Sequence, residues 1–253
     1  MNKIIKDKIN KVIAIFIIVI AFGVTLTLML KYKIEGETNM PFVLSKIFII
    51  SSADITNKED NPENKKWNFF INQYNDFYIE IKKNENYKKD EYIKSVSIEN
   101  IEISSSGNDS KNVYVFMPNS SNEGNLFTYD ENYKVKDSLT YTGSAINNAR
   151  NLQIGNQGGN LSFRVVNSKI AEYVSDDNDE ISYNGTLLKL AKINVEDIKF
   201  NISFDIVIKT INNQYRGNYS VELPIDKVET DGVSSLTKTE FNDIIFKREK
   251  ITN

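Results

Sequence analysis

The stretch KFNISFDIVIK, residues 199–209, alternates bulky apolar side chains with mostly polar ones over its whole length. The apolar set is Phe200, Ile202, Phe204, Ile206 and Ile208. Because successive side chains of a β-strand point to opposite faces, a period of two puts all five on one face, whereas an α-helix would require a period of 3.6. The stretch therefore predicts a β-strand with one buried face.

The same period recurs along most of the chain, in short runs separated by Asn, Gly, Ser and Asp. The runs are NFFIN and FYIEIK around a turn QYND (residues 73–76), KSVSIENIEIS, VYVFMP, LTYTG, LSFRVVN, and YSVELP, which forms a hairpin with the opening stretch. A buried first strand, FVLSKIFIISS, follows Pro41, and Ile244–Phe246 is expected to add the last one. This spacing predicts a mainly β, antiparallel sandwich-like domain over residues 41–253, as one unit or two.

One segment interrupts the strand pattern and predicts a short helical insertion over about residues 168–198. Its sequence TLLKLAKI has the apolar spacing of a short helix capped by Thr186. The following NVED, residues 194–197, offers an Asn cap with an acid three residues later, which indicates a single further turn. We expect the insertion to cover one end or edge of the sheet.

The N-terminal part contains a run of nineteen uncharged residues, Val12–Leu30. As a helix it would span about 28 Å, close to the hydrocarbon thickness of a bilayer. A cleaved signal peptide is the competing interpretation, but its apolar region is usually shorter and ends in small residues, whereas this run ends in Met29 and Leu30 before Lys31. The prediction is a cytoplasmic tail (1–11), a transmembrane helix (12–30), a tether (31–40) and an extracytoplasmic β domain (41–253).

Lysines around the apolar run set its expected direction. Lys3, Lys6, Lys8 and Lys11 precede it, and the positive-inside rule therefore keeps the N-terminus in the cytoplasm of a single-pass plasma-membrane protein. Residues 1–33 carry six Lys and one Asp, a net charge of +5, and the remainder carries 25 basic and 33 acidic residues, a net charge of −8. An acidic domain disfavours nucleic acid as a partner.

The composition also limits the chemistry. The chain contains no Cys and no His, which excludes thiolate and Ser-His-Asp catalysis as well as Cys or His zinc sites. No cofactor is expected, apart from Ca²⁺ at the acidic sequence SDDNDE. Its oxygen ligands would be Asp176, Asp177, Asp179 and Glu180, although the Gly of an EF-hand loop is missing and a solvated acidic loop is the alternative.

Three further residues are candidates for ligand contact. Trp67 and Tyr74 belong to an aromatic stretch, WNFFINQYNDFY, that suits stacking against a sugar, although such alternation also serves core and cross-strand packing. Arg164 follows the glycine-rich turn IGNQGGN and suits an anion, unless it lies paired on the surface. Two carboxylate pairs, Glu99 with Glu102 and Glu80 with Glu85, are the candidates for acid–base hydrolysis of a sugar, although on strands such residues also serve as ordinary members of a polar face.

Four parts of the sequence carry a resemblance to a known family: KYKIEGETNMPFVLSKIFIISSADI, GNQGGNLSFRV, FNISFDIVIKT and NDIIFKRE. In these the chain resembles an uncharacterised family of small single-pass membrane proteins of clostridia and related Firmicutes. The resemblance covers nearly the whole chain. It implies a bacterial envelope setting and an exported domain, and it implies no activity.

Three functions remain open from the sequence. The first is a membrane-anchored domain without catalysis that contacts a membrane or envelope protein as an accessory or assembly factor. The second is a ligand-binding module for wall glycan or Ca²⁺. The third is a hydrolase based on carboxylates.

Overall fold

The computed structural model describes residues 3–34, 40–59, 68–105, 112–119, 125–146, 152–174 and 186–249. The strands are β1 (Phe42–Glu59), β2 (Asn68–Lys83), β3 (Ile93–Ser105), β4 (Val113–Phe116), β5 (Ser138–Gly143), β6 (Gln153–Ile154), β7 (Gly158–Val174), β8 (Phe200–Thr210), β9 (Gln214–Glu222), β10 (Val233–Lys238) and β11 (Lys247–Glu249). The helices are α1 (Lys3–Ile34), α2 (Thr186–Leu190) and α3 (Val228–Asp231), with 3₁₀ turns at Glu131–Tyr133 and Val195–Ile198.

The strands form two sheets, which confirms the mainly β, sandwich-like fold. Sheet I has the order β10-β1-β2-β7-β4, and sheet II has the order β11-β9-β8-β3-β5-β6. All pairings are antiparallel except the short parallel contact of β5 with β6. The helical insertion is also present, as α2 and the 3₁₀ turn that follows it.

The core lies between the two sheets. The apolar set of the opening stretch is buried on the inner face of β8, as its period of two predicts. Phe204 packs edge-on against Phe163 and Phe77 of sheet I, with ring centroids 5.4 and 5.9 Å apart, and Phe77 and Phe163 stack at 4.5 Å. Three rings from three strands therefore join the sheets at the centre of the domain.

The predicted turn QYND is wrong, because β2 continues through it as one strand. Asn75 points inward and is fully buried, but its side-chain oxygen accepts a hydrogen bond from Ser51 Oγ (2.7 Å) and its amide donates to the carbonyl of Val165 (3.2 Å). Ser51 and Val165 therefore satisfy the side-chain hydrogen-bonding groups of Asn75 inside the sandwich. Tyr74 and Asp76 consequently point to the outer face of sheet I.

Two other boundaries differ from the prediction. Residues 168–174 belong to β7, and 171–174 pair with β2, so the described helical part of the insertion is confined to 186–198. At the C-terminal end, Ile244–Phe246 is not a strand, and the last strand, β11, follows it at Lys247–Glu249. Phe246 is instead buried, with its ring against Gly217 of β9.

The strand register gives the domain two distinct ends. At the basal end, which we define as the end where β1 begins, Phe42 pairs with Lys83 and Ile93 pairs with Thr210. At the distal end, β1 and β2 extend to Glu59 and Asn68. Since β10 pairs only with residues 47–52 of β1, no described strand pairs with the outer edge of residues 53–59.

Helix α1 is the one described helix that is long and apolar enough to cross a membrane. Its segment Lys11–Leu28 has a mean hydropathy of 2.6, and all of these side chains are exposed. By length and composition it fits either a membrane anchor or a signal sequence. The helix continues through residues 31–34, so the first part of the predicted tether is helical. Met40 is already buried, and its carbonyl accepts a hydrogen bond from Asn84 Nδ2 (2.9 Å).

Candidate functional site

Two of the predicted ligand contacts, Tyr74 and Arg164, lie together on the outer face of sheet I. Tyr74 of β2 pairs with Val166 of β7, and Asp76 pairs with Arg164, so the register brings the two side chains to adjacent positions. The Arg164 guanidinium carbon lies 5.0 Å from the centre of the Tyr74 ring, which is a cation–π contact. The strands thus assemble a pair that is separated by 90 residues in sequence.

The guanidinium of Arg164 is held by partners within the chain. Its Nε and Nη2 donate to the two carboxylate oxygens of Asp76 at 2.5 and 2.7 Å, and Nη1 donates to the hydroxyl of Tyr129 at 2.8 Å. The ring of Phe127 covers it at 4.7 Å. Burial alone would lower the pKa of Arg164, but the hydrogen bonds and charge of Asp76 outweigh burial and raise it. The group stays charged and paired.

Aromatic rings surround this pair. Tyr129 packs 5.5 Å from Tyr74 and makes an edge contact of 5.8 Å with Phe116. Burial, and then the hydrogen bond with Tyr129, raise the pKa of Tyr74. The loop that carries Phe127 and Tyr129 is thereby attached to the outer face of the sheet. An external anion would have to displace Asp76 to reach Arg164, so this cluster is a self-contained aromatic cage around the protein's own cation.

The other predicted ligand residues lie outside the described residues. These are Trp67 and the Ca²⁺ candidates Asp176, Asp177, Asp179 and Glu180. Their neighbours in sequence are informative, because Asn68 is paired directly with Val174 at the distal end of sheet I. Among the described residues no group of three or more acidic side chains is placed to hold a metal ion.

A crevice of about 370 Å³ opens near the same end. One wall is the part of β7 that follows Asn167, and the other is the segment from Ala191 to Phe200, with Ile103 and Val113 between them. Aliphatic, polar and cationic side chains all line the crevice, and Asp197 is the single acid among the lining residues. The polar and cationic residues are Asn112, Asn167, Ser168, Lys169, Lys192 and Lys199. Lys199 is paired with Glu222 (2.5 Å), so the excess positive charge comes from Lys169, whose amine lies 4.5 Å from the centre of the Phe70 ring, and from Lys192. A small positive excess in an acidic domain suits an anionic, polyhydroxylated ligand.

Two lysines of the crevice have a left-handed backbone. Lys169 (φ +57°) lies in a bulge of β7, where residues 168–170 face the single residue Asn72 of β2. The Asn72 side-chain oxygen accepts hydrogen bonds from the Lys169 backbone N–H (2.9 Å) and the Ser168 hydroxyl (3.3 Å), which fixes the bulge. Lys192 (φ +53°) follows α2. Non-glycine residues seldom adopt this conformation, and sequence reasoning missed both because neither position carries the Gly or Asn that usually marks it.

The candidate carboxylate pairs lie on open strand faces. Glu99 pairs with Arg216 (Oε2 to Nη2, 2.9 Å), and Glu102 lies beyond a bulge at Asn100 and faces Ser203. Arg216 of β9 also binds Asp205 and Glu249 at 3.0 and 2.9 Å, and with Glu99 these contacts join the four strands β3, β8, β9 and β11 of sheet II.

The two carboxylates of the second pair, Glu80 and Glu85, also lie in different surroundings. Glu80 accepts a hydrogen bond from Ser45 Oγ at 2.6 Å, while Glu85 lies in an exposed turn. Neither pair lines a described cavity, so the described geometry gives no acid–base constellation. Comparison of the chain with protein-family models, with curated proteins and with solved structures gives no match.

Proposed function

We propose that this chain is a membrane-anchored, extracytoplasmic β domain of a Gram-positive envelope, which acts through protein contacts as an accessory or assembly factor. The anchor is α1, with its lysine-rich N-terminus inside the cell. The acidic β domain then stands outside, joined to the anchor by residues 35–39. The resemblance to single-pass clostridial membrane proteins supports the same setting.

The observation that carries this proposal is the open edge of β1. Residues 53–59 continue β1 beyond the end of β10; the short helices α2 and α3 contact β1, but among the described residues no strand pairs with the outer side of this stretch. The Ile55 N–H donates to Asp54 Oδ1 (2.7 Å), and the other backbone N–H and C=O groups along such an unpaired edge form a template for an added strand of a partner protein. The edge lies at the distal end, away from α1, where a neighbouring envelope protein has access.

Site-specific photo-cross-linking in intact cells tests the proposal. A photoreactive residue at Thr56, exposed on the open edge, is expected to give a repeatable adduct of defined mass with an envelope protein. The matched control is Ser235, which is equally exposed but lies on β10, the strand that covers the adjacent part of β1. If Thr56 gives no adduct, or gives the same one as Ser235, the edge is not the contact surface.

A second candidate function, recognition of an acidic wall glycan, is favoured by the cationic crevice at the distal end. Its aliphatic floor and the lysines Lys169 and Lys192 match the chemistry of a sugar that carries a carboxylate. Calorimetric titration of the full chain with muropeptides is expected to give heat that a Lys169→Gln, Lys192→Gln double variant loses. A parallel titration with Ca²⁺ tests the acidic sequence at 175–180, with Asp177→Asn as its control. No heat in either titration removes this candidate.

A further inference from the structure

The basal end of the domain exposes apolar side chains at the tips of its loops. Tyr92 precedes β3 and is 42% exposed, and Ile211 lies in the tight β8–β9 turn and is 63% exposed. Ile146 follows β5, and Val43 and Ile245 border a groove at the start of β1. Isolated exposed apolar residues are ordinary, but five on one end of a domain mark a contact surface.

The buried carboxylate of Glu91 links the loop that carries Tyr92 to the β8–β9 turn that carries Ile211. Glu91 is only 5% exposed, and its Oε1 accepts a hydrogen bond from Asn212 Nδ2 of the β8–β9 turn at 3.0 Å. Its carbonyl accepts one from Gln157 Nε2 (3.4 Å), and Ile93 N–H donates to the carbonyl of Asn156 (3.0 Å). These hydrogen bonds hold the backbone beside Tyr92 and Ile211 in place, so the two exposed side chains lie close together on the same end of the domain.

The charge of this end differs from that of the rest of the domain. The stretch 82–94 carries five lysines and three acids, one of which is the buried Glu91. This local net charge of +2 contrasts with the net charge of −8 for residues 34–253. Lys82 and Lys83 are paired with Glu80 (3.1 Å) and Asp90 (3.7 Å), whereas Lys88, Lys89 and Lys94 lie exposed beside the aromatic and aliphatic tips. Such a combination matches a membrane surface, where Tyr sits at headgroup level and basic groups meet lipid phosphate.

The connection to α1 keeps this end near the lipid. Six Cα-to-Cα steps separate Ile34, the last residue of α1, from Met40, the first described residue of the domain, so the two are at most about 22 Å apart. In addition, α1 approaches β11, whose Glu249 pairs with Gln214 beside the β8–β9 turn. The end that carries the apolar tips is thus the end nearest the anchor.

We infer that the basal end docks on the outer surface of the bilayer, with Tyr92 and Ile211 in the headgroup region and the lysines of 82–94 against lipid phosphate. The inference rests on the proposed function, because it takes α1 as the anchor. It assigns a second, peripheral membrane contact to the β domain. This contact restricts the tilt of the domain and directs the open edge of β1 away from the membrane.

The absence of cysteine from the chain makes a direct test available. Single cysteines at Tyr92, Ile211, Val174 and Val19 would be labelled with a small fluorophore in the full chain, reconstituted into vesicles of phosphatidylcholine and phosphatidylglycerol that contain doxyl-labelled lipid. Val174 is the matched control, because it is 48% exposed but lies at the distal end. Val19, within the apolar helix, reports on the anchor itself.

The expected result is strong lipid quenching at Val19, several-fold stronger quenching at Tyr92 and Ile211 than at Val174, and weaker quenching at Tyr92 when Ile211→Asp is added. Quenching at Val19 but equal, weak values at the other three positions would overturn the docking and leave the anchor intact. Absence of quenching at Val19 would overturn the anchor. A label at Ile211 that is shielded from aqueous iodide but unquenched by lipid would show that protein covers this end, and would also overturn the inference.

Discussion

Arg164 of β7 and Asp76 of β2 form a bidentate ion pair on the outer face of sheet I, with N–O distances of 2.5 and 2.7 Å. Both side chains are largely buried, by the rings of Tyr74 and Phe127 among others. The pair fastens the loop 125–130 to the sheet through Tyr129. This bidentate, largely buried polar cluster is therefore a structural element and not an open binding site.

We predict that Arg164→Gln lowers the free energy of unfolding by about 2–4 kcal/mol, because it leaves the buried Asp76 carboxylate unpaired. The control is Asp243→Asn, which removes the more exposed pair with Lys238 and is expected to cost less than about 1 kcal/mol. Urea unfolding of the full chain in detergent, followed by circular dichroism, measures both. Equal effects of the two substitutions would show that the cluster contributes no more than a surface pair.

The central aromatic contact gives a second stability prediction. Phe204→Ala removes a fully buried ring that touches Phe77, Phe163 and Tyr219, and is expected to cost about 3–5 kcal/mol. Phe48→Ala is the control, since Phe48 lies on the outer face of β1 and packs only loosely on Tyr78, at 6.2 Å. Urea unfolding again measures the free energy of unfolding of both variants. A smaller loss of this free energy for Phe204→Ala than for Phe48→Ala would contradict the two-sheet core.

The sequence predicted those features that depend on a local period. Phe204 and its alternating neighbours could be placed on one buried face because a strand repeats every two residues. The turn at QYND could not be excluded in the same way, since Asn75 is a turn former in most contexts and only its partners across the sandwich, Ser51 and Val165, explain why it lies inside a strand.

The candidate site was harder to predict, because it depends on register. The sequence indicates both Arg164 and Tyr74 as ligand candidates, but their proximity, and the ion pair of Arg164 with Asp76, follow from the pairing of β2 with β7. Period alone does not fix register between strands so far apart in sequence. The left-handed Lys169 carries no sequence signal at all, since its bulge is stabilised by Asn72 on another strand.

Backbone strain after α2 gives a third prediction. Lys192 ends the helix in a left-handed conformation, with the N–H of Ile193 bonded to the carbonyl of Leu188 (3.0 Å), which is the position where Gly is preferred. Lys192→Gly is therefore expected to stabilise the domain by about 1 kcal/mol. Lys189→Gly, in the body of α2, should destabilise it by a similar amount. A loss of stability in both variants, measured by urea unfolding, would contradict the helix end described here.

The network around Asp205 predicts a pH dependence. Burial raises the pKa of Asp205, but hydrogen bonds from Asn218, Asn100 and Arg216 outweigh it and hold the pKa below its ordinary value of 3.8. The stability that the carboxylate contributes is thus present above pH 3.8 and is lost as the pH falls through the lower, folded-state pKa. The stability difference between the wild type and Asp205→Asn should narrow as the pH falls from about 5 to about 3.

A matched substitution checks this assignment. Asp137→Asn, which removes a carboxylate from an exposed turn before β5, is expected to follow the wild-type stability curve over the same pH range. Chemical denaturation at a series of pH values provides the data. A constant difference between the wild type and Asp205→Asn would mean that Asp205 does not titrate with folding.

The central claim is that α1 anchors an acidic β domain on the outside of the cell, and its most direct test is protease treatment of intact cells that express the full chain. We predict that external protease destroys the β domain while a cytoplasmic marker survives, and that the residual apolar fragment stays with the membrane fraction. Survival of the β domain in intact cells, together with its digestion only after lysis, would contradict the orientation and the function built on it.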